Sequence, residues 1–114
     1  FLKRILTNLS LNAIQAMPNG GELTLYACLK RSKLLISIND TGAGIPDYVK
    51  KKLFKPLVTT KPKGQGFGLA VAKKLTEALN GTITFESEVS KGTTFTITLP
   101  QKTVQKVSTE QLTG

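Results

Sequence analysis

The stretch ILTNLSLNAIQAM (residues 5–17) carries two side-chain amides, Asn8 and Asn12, four residues apart. At that spacing both lie on one side of a helix, one turn from each other. Each costs about 0.5–0.7 kcal/mol relative to alanine in a helix interior, so a pair beside an apolar stripe calls for a chemical reason. A second polar group sits at the end of the run LLISIND: Asp40 has the parity of Leu34, Ile36 and Ile38. Its carboxylate therefore aims at the buried side, at a strand end. Thr93 shares parity with Phe95 and so faces inward at a strand start. Three glycine clusters accompany these residues: DTGAG (40–44), GQGFG (64–68) and KGTTF (91–95). Glycine lets backbone approach a ligand closely. GQGFGLA opens directly onto a helix, where free amides and the helix dipole can hold an anion.

Several chemistries are excluded. The chain has no histidine, which rules out a Ser-His-Asp hydrolase, an internal histidine base and an internal phosphohistidine. Cys28 is the single cysteine, so neither an intrachain disulfide nor a thiolate metal cluster can form, and a reducing cytoplasm is the expected compartment. GQGFG is not a dinucleotide fingerprint, because no strand precedes it. It is not a Walker loop, because no Gly-Lys-Ser/Thr follows the spaced glycines.

The elements that must position these groups follow from periodicity. Apolar Leu2, Ile5, Leu6, Leu9, Ala13, Ala16 and Met17 recur at three and four, predicting a helix over 2–17 that PNGG ends. Residues 22–30 alternate, with Leu23, Leu25, Ala27 and Leu29 on one half-buried strand face. KRSK is a polar turn into the strand that ends at Asp40. Residues 47–53 suit a short helix capped by Asp47. Residues 55–67 hold two prolines, two glycines and three lysines and read as a mobile loop. A second long helix is predicted from 67 to 79, with Leu69, Val71, Ala72, Leu75 and Ala78 apolar and Asn80–Gly81 as its stop. Two more alternating strands, around Ile83 and Phe85 and then Phe95, Ile97 and Leu99, form an antiparallel hairpin. Residues 101–114 are a polar tail. Helices and strands in this order predict an α+β, two-layer sandwich.

The 114 residues make one domain with its own core. No apolar run approaches the roughly 20 residues of a membrane span, and no signal peptide is visible; the chain opens mid-pattern at FLKRIL, as a fragment would. Net charge is +9, and eight of the sixteen positive residues lie between Lys50 and Lys74. Such a segment is a solvated basic face, or it meets a polyanion: nucleic acid, a membrane surface or nucleotide phosphates. Two tyrosines and no tryptophan offer little for base stacking.

Taken in order, NLSLNA, DTGAGIP, LFKPLVTTK, GQGFGLAVAKKL and KGTTFTITLP resemble the ATP-binding domain of sensor histidine kinases, within the superfamily that includes gyrase, the ninety-kilodalton heat-shock chaperone and MutL. The resemblance spans about residues 2–100, and NAIQAMPNGGEL with TTKPKGQGFGLA looks most like nitrogen-regulation-type and PAS-linked kinases. It implies a Bergerat-type sandwich: a mixed sheet covered on one face by helices, with a mobile ATP lid. It implies ATP and Mg²⁺ as cofactors. Asn12 matches the asparagine that ligates Mg²⁺, and Asn8 lies near the same phosphates. Asp40 matches the acceptor of the adenine amine, Gly42 and Gly44 let the loop pass beside the base, and Thr93 helps hold adenine. Lys61 looks like a lid lysine that reaches the γ-phosphate, with Lys63 as a second. Gly64, Gly66 and Gly68 match the second glycine box, with Leu69 following it at the helix start.

Three features depart from the family pattern. Gln15 stands where many relatives carry Lys or Arg, Leu57 replaces a second phenylalanine, and the family's usual first strand has no counterpart here. The resemblance implies a domain (residues 1–100) that supports γ-phosphoryl transfer to a histidine on a separate dimerisation domain, upstream of a response regulator. Asn8 and Lys61 would take part in that chemistry. This cytoplasmic domain is expected to be monomeric, without nucleic-acid or membrane contact of its own. Asn8 also occupies the position where hydrolysing relatives keep a glutamate base, so ATP hydrolysis is expected to be negligible. The alternatives are a serine kinase of the anti-sigma-factor type, a non-catalytic nucleotide-gated interaction module, and a basic nucleic-acid binder.

Overall fold

The computed structural model describes residues 1–54 and 68–100. Seven elements follow in the order α1 (Leu2–Gln15), β1 (Leu23–Lys30), β2 (Lys33–Asp40), α2 (Asp47–Lys50), α3 (Gly68–Ala78), β3 (Thr82–Glu88) and β4 (Gly92–Pro100). The strands form one sheet in the order β1-β2-β4-β3. The expected loop over 55–67 and the tail over 101–114 lie outside the described residues.

Every pairing among the described strands is antiparallel, where a mixed sheet was expected. Hairpins impose this. β1 and β2 are joined through Arg31 and Ser32, both with positive φ (51° and 64°), as a tight hairpin turn requires. β4 returns from β3 by another hairpin and enters the sheet beside β2, where its direction is opposite to both neighbours.

The register stacks the inner face in rows. Leu25, Ile38, Phe95 and Phe85 stand side by side across the four strands; Ala27, Ile36, Ile97 and Ile83 form the next row. Ile36, Ile38, Phe95, Ile97 and Leu99 are buried, and α1 adds Ile5 and Leu9 while α3 adds Ala72. The apolar stripe of α1 and the small residues of α3 let the two helices lie against each other and the sheet. Thr76, fully buried in α3, satisfies its hydroxyl by donating to the Ala72 carbonyl oxygen (2.7 Å).

Two expected details differ. The apolar face of β1 is not half-buried along its length: Leu25 is 51% and Leu29 63% exposed, with only Leu23 of that face partly covered. β1 is an edge strand, and α1 packs chiefly over β2, so most of β1 lies beyond its reach. Asp47 is not a cap. It is the first residue of α2 behind Pro46, and its carboxylate pairs with Lys50 one turn on (3.3 Å). α1 ends at Gln15, two residues before the predicted limit; α3 ends at Ala78, one residue early, and the expected stop follows, Asn80 taking positive φ (61°) while the Gly81 amide donates to the Thr76 carbonyl.

Burial separates the rows energetically. Phe95→Ala is expected to cost about 3–5 kcal/mol by removing a ring from a filled core. Leu29→Ala on the open end of β1 should change stability by no more than about 0.5 kcal/mol. Urea unfolding of the two variants checks the contrast.

Candidate functional site

The inner face of the sheet changes character in one row. Beyond Leu25–Ile38–Phe95–Phe85, the next four facing residues are Leu23, Asp40, Thr93 and Ser87. Three strands thus place a carboxylate and two hydroxyls side by side where the preceding rows place hydrocarbon. Asp40 is 2% exposed and Thr93 4%. Burying a carboxylate is expensive unless it is hydrogen-bonded. One oxygen, Oδ1, accepts the Gly42 amide proton (2.8 Å), closing the turn that starts the DTGAG loop. The other has no partner among the described residues.

That loop is wedged between two walls. On one side the Ala43 amide donates to the Ala16 carbonyl (3.2 Å) at the end of α1, and a Cβ at Gly42 would collide with the same carbonyl. On the other side the Ser90 amide donates to the Ala43 carbonyl (2.8 Å), and the Ile45 amide donates to Ser87 Oγ (2.7 Å). Gly44, at φ +77°, presses against the Glu88 carbonyl, leaving no room for a side chain. Lys50 completes the clamp: its ammonium donates to the Ser87 carbonyl (2.7 Å) as well as pairing with Asp47. Nothing in the sequence points to this contact, where Lys50 is only one member of the basic segment.

α1 carries the other half of the site. Asn8 donates from Nδ2 to the Gly68 carbonyl (3.3 Å), tying α1 to the start of α3. Ala16, two turns further, holds the DTGAG loop. Asn12 stands on the same side midway between these anchors, half-buried, and its side-chain amide has no hydrogen-bond partner among the described residues. The structure therefore brings Asp40, Gly42, Gly44 and Thr93 together at one end of α1, and Asn8 and Gly68 at the other. Leu69 packs against the core from the first turn of α3. Lys61, Lys63, Gly64 and Gly66 lie outside the described residues, as does Leu57.

Phe54 meets Phe85 edge-on (centroids 5.8 Å apart, 69°) and Phe95 (6.3 Å, 72°), with the Lys73 ammonium 5.3 Å from its ring centre. An aromatic triad thus backs the Asp40 row. Sequence reasoning missed Ser87, although it shares parity with Ile83 and Phe85 and so had to face inward.

Comparisons with known proteins agree with this geometry. Residues 1–103 match the family described as histidine kinase-, DNA gyrase B-, and HSP90-like ATPase. Sporulation kinase D of Bacillus subtilis is 40% identical over 87% of this chain, which covers 20% of that protein. Sensor histidine kinase ZraS of Escherichia coli is 40% identical over 92% of the chain, covering 23% of its own length. The nucleotide-free catalytic domain of histidine kinase ThkA superposes with a TM-score of 0.76 at 33% identity, over 88% of this chain and 66% of that one. Full-length ShkA in complex with AMPPNP gives 0.76 at 29% identity, over 87% and 21%. The chain belongs to the histidine kinase-, gyrase- and HSP90-like ATPase family, and its fold is that of histidine kinase catalytic domains. It spans about a fifth of the length of the curated relatives it matches.

Two glycines of the site should respond oppositely. Gly44→Ala forces a side chain into positive φ and onto a carbonyl, and should destabilise by about 1–2 kcal/mol or more. Gly68→Ala meets no atom within 4 Å and should leave stability within about 0.5 kcal/mol. Chemical denaturation of each measures both.

Proposed function

We propose that this chain is the catalytic, ATP-binding domain of a sensor histidine kinase, binding Mg²⁺-ATP and delivering the γ-phosphoryl group to a histidine on a separate dimerisation domain. The observation that carries the reading is Asp40: a buried carboxylate, fixed by one oxygen to its own loop and left with the other free beside Thr93. A free acceptor beside a row of hydrocarbon side chains suits the exocyclic amine of adenine. Gly42 and Gly44 bring the loop close to the base. From there α1 leads past Asn12 to the Gly68 end, the side on which the triphosphate would lie.

The donor set fits Mg²⁺. The described residues contain no cluster of three His, Cys, Asp or Glu groups, so no all-protein cage exists among them. Magnesium in phosphate sites takes one or two protein oxygens and completes its shell with phosphate and water. The unengaged amide of Asn12 offers one such hard, neutral oxygen. When bound, the ion would supply positive charge that neutralises the phosphates. The protein groups act by positioning: Asp40 and Thr93 hold the base, Asn8 keeps α1 against α3, and lysine spreads the charge developing on the transferred group. No residue of this chain serves as the phosphoacceptor, since histidine is absent.

Relatives named as sensor and sporulation kinases support this reading over the serine-kinase and interaction-module alternatives. The partners are then a histidine-bearing dimerisation domain and a response regulator, in the ATP-supplied cytoplasm. No described helix is long and apolar enough to cross a membrane. Asn8 spends its amide on the Gly68 carbonyl and carries no base, which favours storage of ATP over hydrolysis.

Calorimetric titration tests the site. Wild type should bind ATP more tightly with Mg²⁺ than without, and Asp40→Asn should weaken ATP by at least about tenfold, because a donor then faces the amine. Absence of ATP binding by wild type would sink the proposal. With labelled ATP and a separately supplied dimerisation domain, label should appear on that domain's histidine and none on this chain. Steady phosphate release by the chain alone, abolished by replacing Asn8, would contradict the reading.

A further inference from the structure

Ser87 is engaged through its side chain and its main chain at once. Oγ accepts the Ile45 amide proton (2.7 Å) and gives its own proton to the Gly92 carbonyl oxygen (3.1 Å), so its 2.8 Å contact with Thr93 Oγ1 uses the Thr93 proton. The Ser87 carbonyl oxygen accepts a proton from the Lys50 ammonium (2.7 Å). Ile45 and Lys50 bracket Pro46 and the start of α2, and both end on this one residue of β3. The exit of the DTGAG loop is therefore pinned at two points.

α2 depends on the second pin. It is a single turn of four residues, none of them buried, and its N-cap makes no side-chain hydrogen bond. A helix that short has no stability of its own in water. Ile45 and Val49 are only partly buried against the core. Lys50 differs from the two lysines that follow it: its side chain is 31% exposed, whereas Lys51 and Lys52 lie open to solvent. Its charge is met by the Asp47 carboxylate at 3.3 Å. A lysine turned to a carbonyl and a carboxylate is not turned to a phosphate. The pin also lies in register with the base end of the site, because Ser87 faces Thr93 and Thr93 faces Asp40.

We propose that Lys50 is a positioning residue for the base half of the nucleotide site. By docking α2 on the Ser87 carbonyl it holds the loop from Asp40 to Ile45 in the shape that receives the base, and it contributes nothing to phosphate affinity. The inference rests on the adenine-site reading above. It separates Lys50 from the rest of the basic segment, whose charge suits a polyphosphate.

AMP, ADP and ATP share the base and differ in phosphate number. Calorimetry with each, in the presence of Mg²⁺, gives dissociation constants for wild type, Lys50→Met, Lys50→Arg and Asp47→Asn. Amide hydrogen exchange of the ligand-free proteins is followed in parallel. Lys50→Met keeps an unbranched stem and loses the donor. It should weaken all three nucleotides by the same factor, about three- to tenfold, the scale of one hydrogen bond. Its Ala43 and Ile45 amides should exchange at least about fivefold faster, with those of Ile38 and Phe95 unchanged. Lys50→Arg restores a donor and should return binding and exchange to within about twofold of wild type. Asp47→Asn should also stay within about twofold, because the carboxylate is 96% exposed and such pairs contribute little.

A loss that grows several-fold from AMP to ATP makes Lys50 a phosphate contact and overturns the proposal. So do an Asp47→Asn loss as large as that of Lys50→Met, no recovery in Lys50→Arg, and faster exchange that extends equally to Ile38 and Phe95, which marks a general loss of stability. Wild-type binding of ATP with an unaffected Lys50→Met overturns this inference alone. Absence of ATP binding by wild type overturns the adenine-site reading and this inference together.

Discussion

The register of β4 between β2 and β3 is the constraint from which the site follows. Phe95 faces Ile38 on one side and Phe85 on the other, and two residues earlier Thr93 faces Asp40 and Ser87. The apolar rows enforce that alignment. A slip of one residue would turn Phe95, Ile97 and Leu99 to the outer face and bring Thr94, Thr96 and Thr98 into the core. The hydrocarbon rows thus act as the ruler that sets three polar groups side by side. Chemistry at the end of the sheet and packing in its middle are two readings of one alignment.

α1 serves the same purpose lengthwise. Its Asn8, Asn12 and Ala16 recur every four residues along one side. The first anchors α3, and the last anchors the loop that leaves Asp40. The distance between the two anchors is therefore a helical repeat rather than a loop length, and a rigid element sets the separation between the Asp40 loop and the start of α3. Helical asparagine is intrinsically unfavourable. Here one amide spans the gap between helices, and the other has no hydrogen-bond partner among the described residues.

Much of this was legible in the sequence, and the limits are physical. Alternation placed Asp40 and Thr93 inward, since side-chain parity in a strand is a local property. The same rule overreached on β1: parity says which way Leu25 and Leu29 point but not whether a helix lies above them, and only the tertiary arrangement shows that α1 sits over β2. The role of Lys50 was hidden for the same reason. Its partner, the Ser87 carbonyl, is 37 residues away, and no pattern within one helix indicates it. Ser87 was the avoidable miss, for its parity with Ile83 and Phe85 was available. Serine in a threonine-rich hairpin simply carries no conspicuous signal. The mixed sheet was inherited from resemblance rather than read from the hairpins, which force antiparallel pairing here.

The central position of the Asp40–Thr93 pair sets how long its contacts endure. β2 and β4 are the interior strands of the sheet, hydrogen-bonded on both edges, and amides in such strands open to exchange only with large-scale unfolding. Gly68, by contrast, begins a helix, and helix ends fray. The two ends of the site therefore sit on ground of unequal permanence. The Asp40 end shares the lifetime of the fold itself, while the Gly68 end rests on a helix terminus held to α1 by one side-chain hydrogen bond.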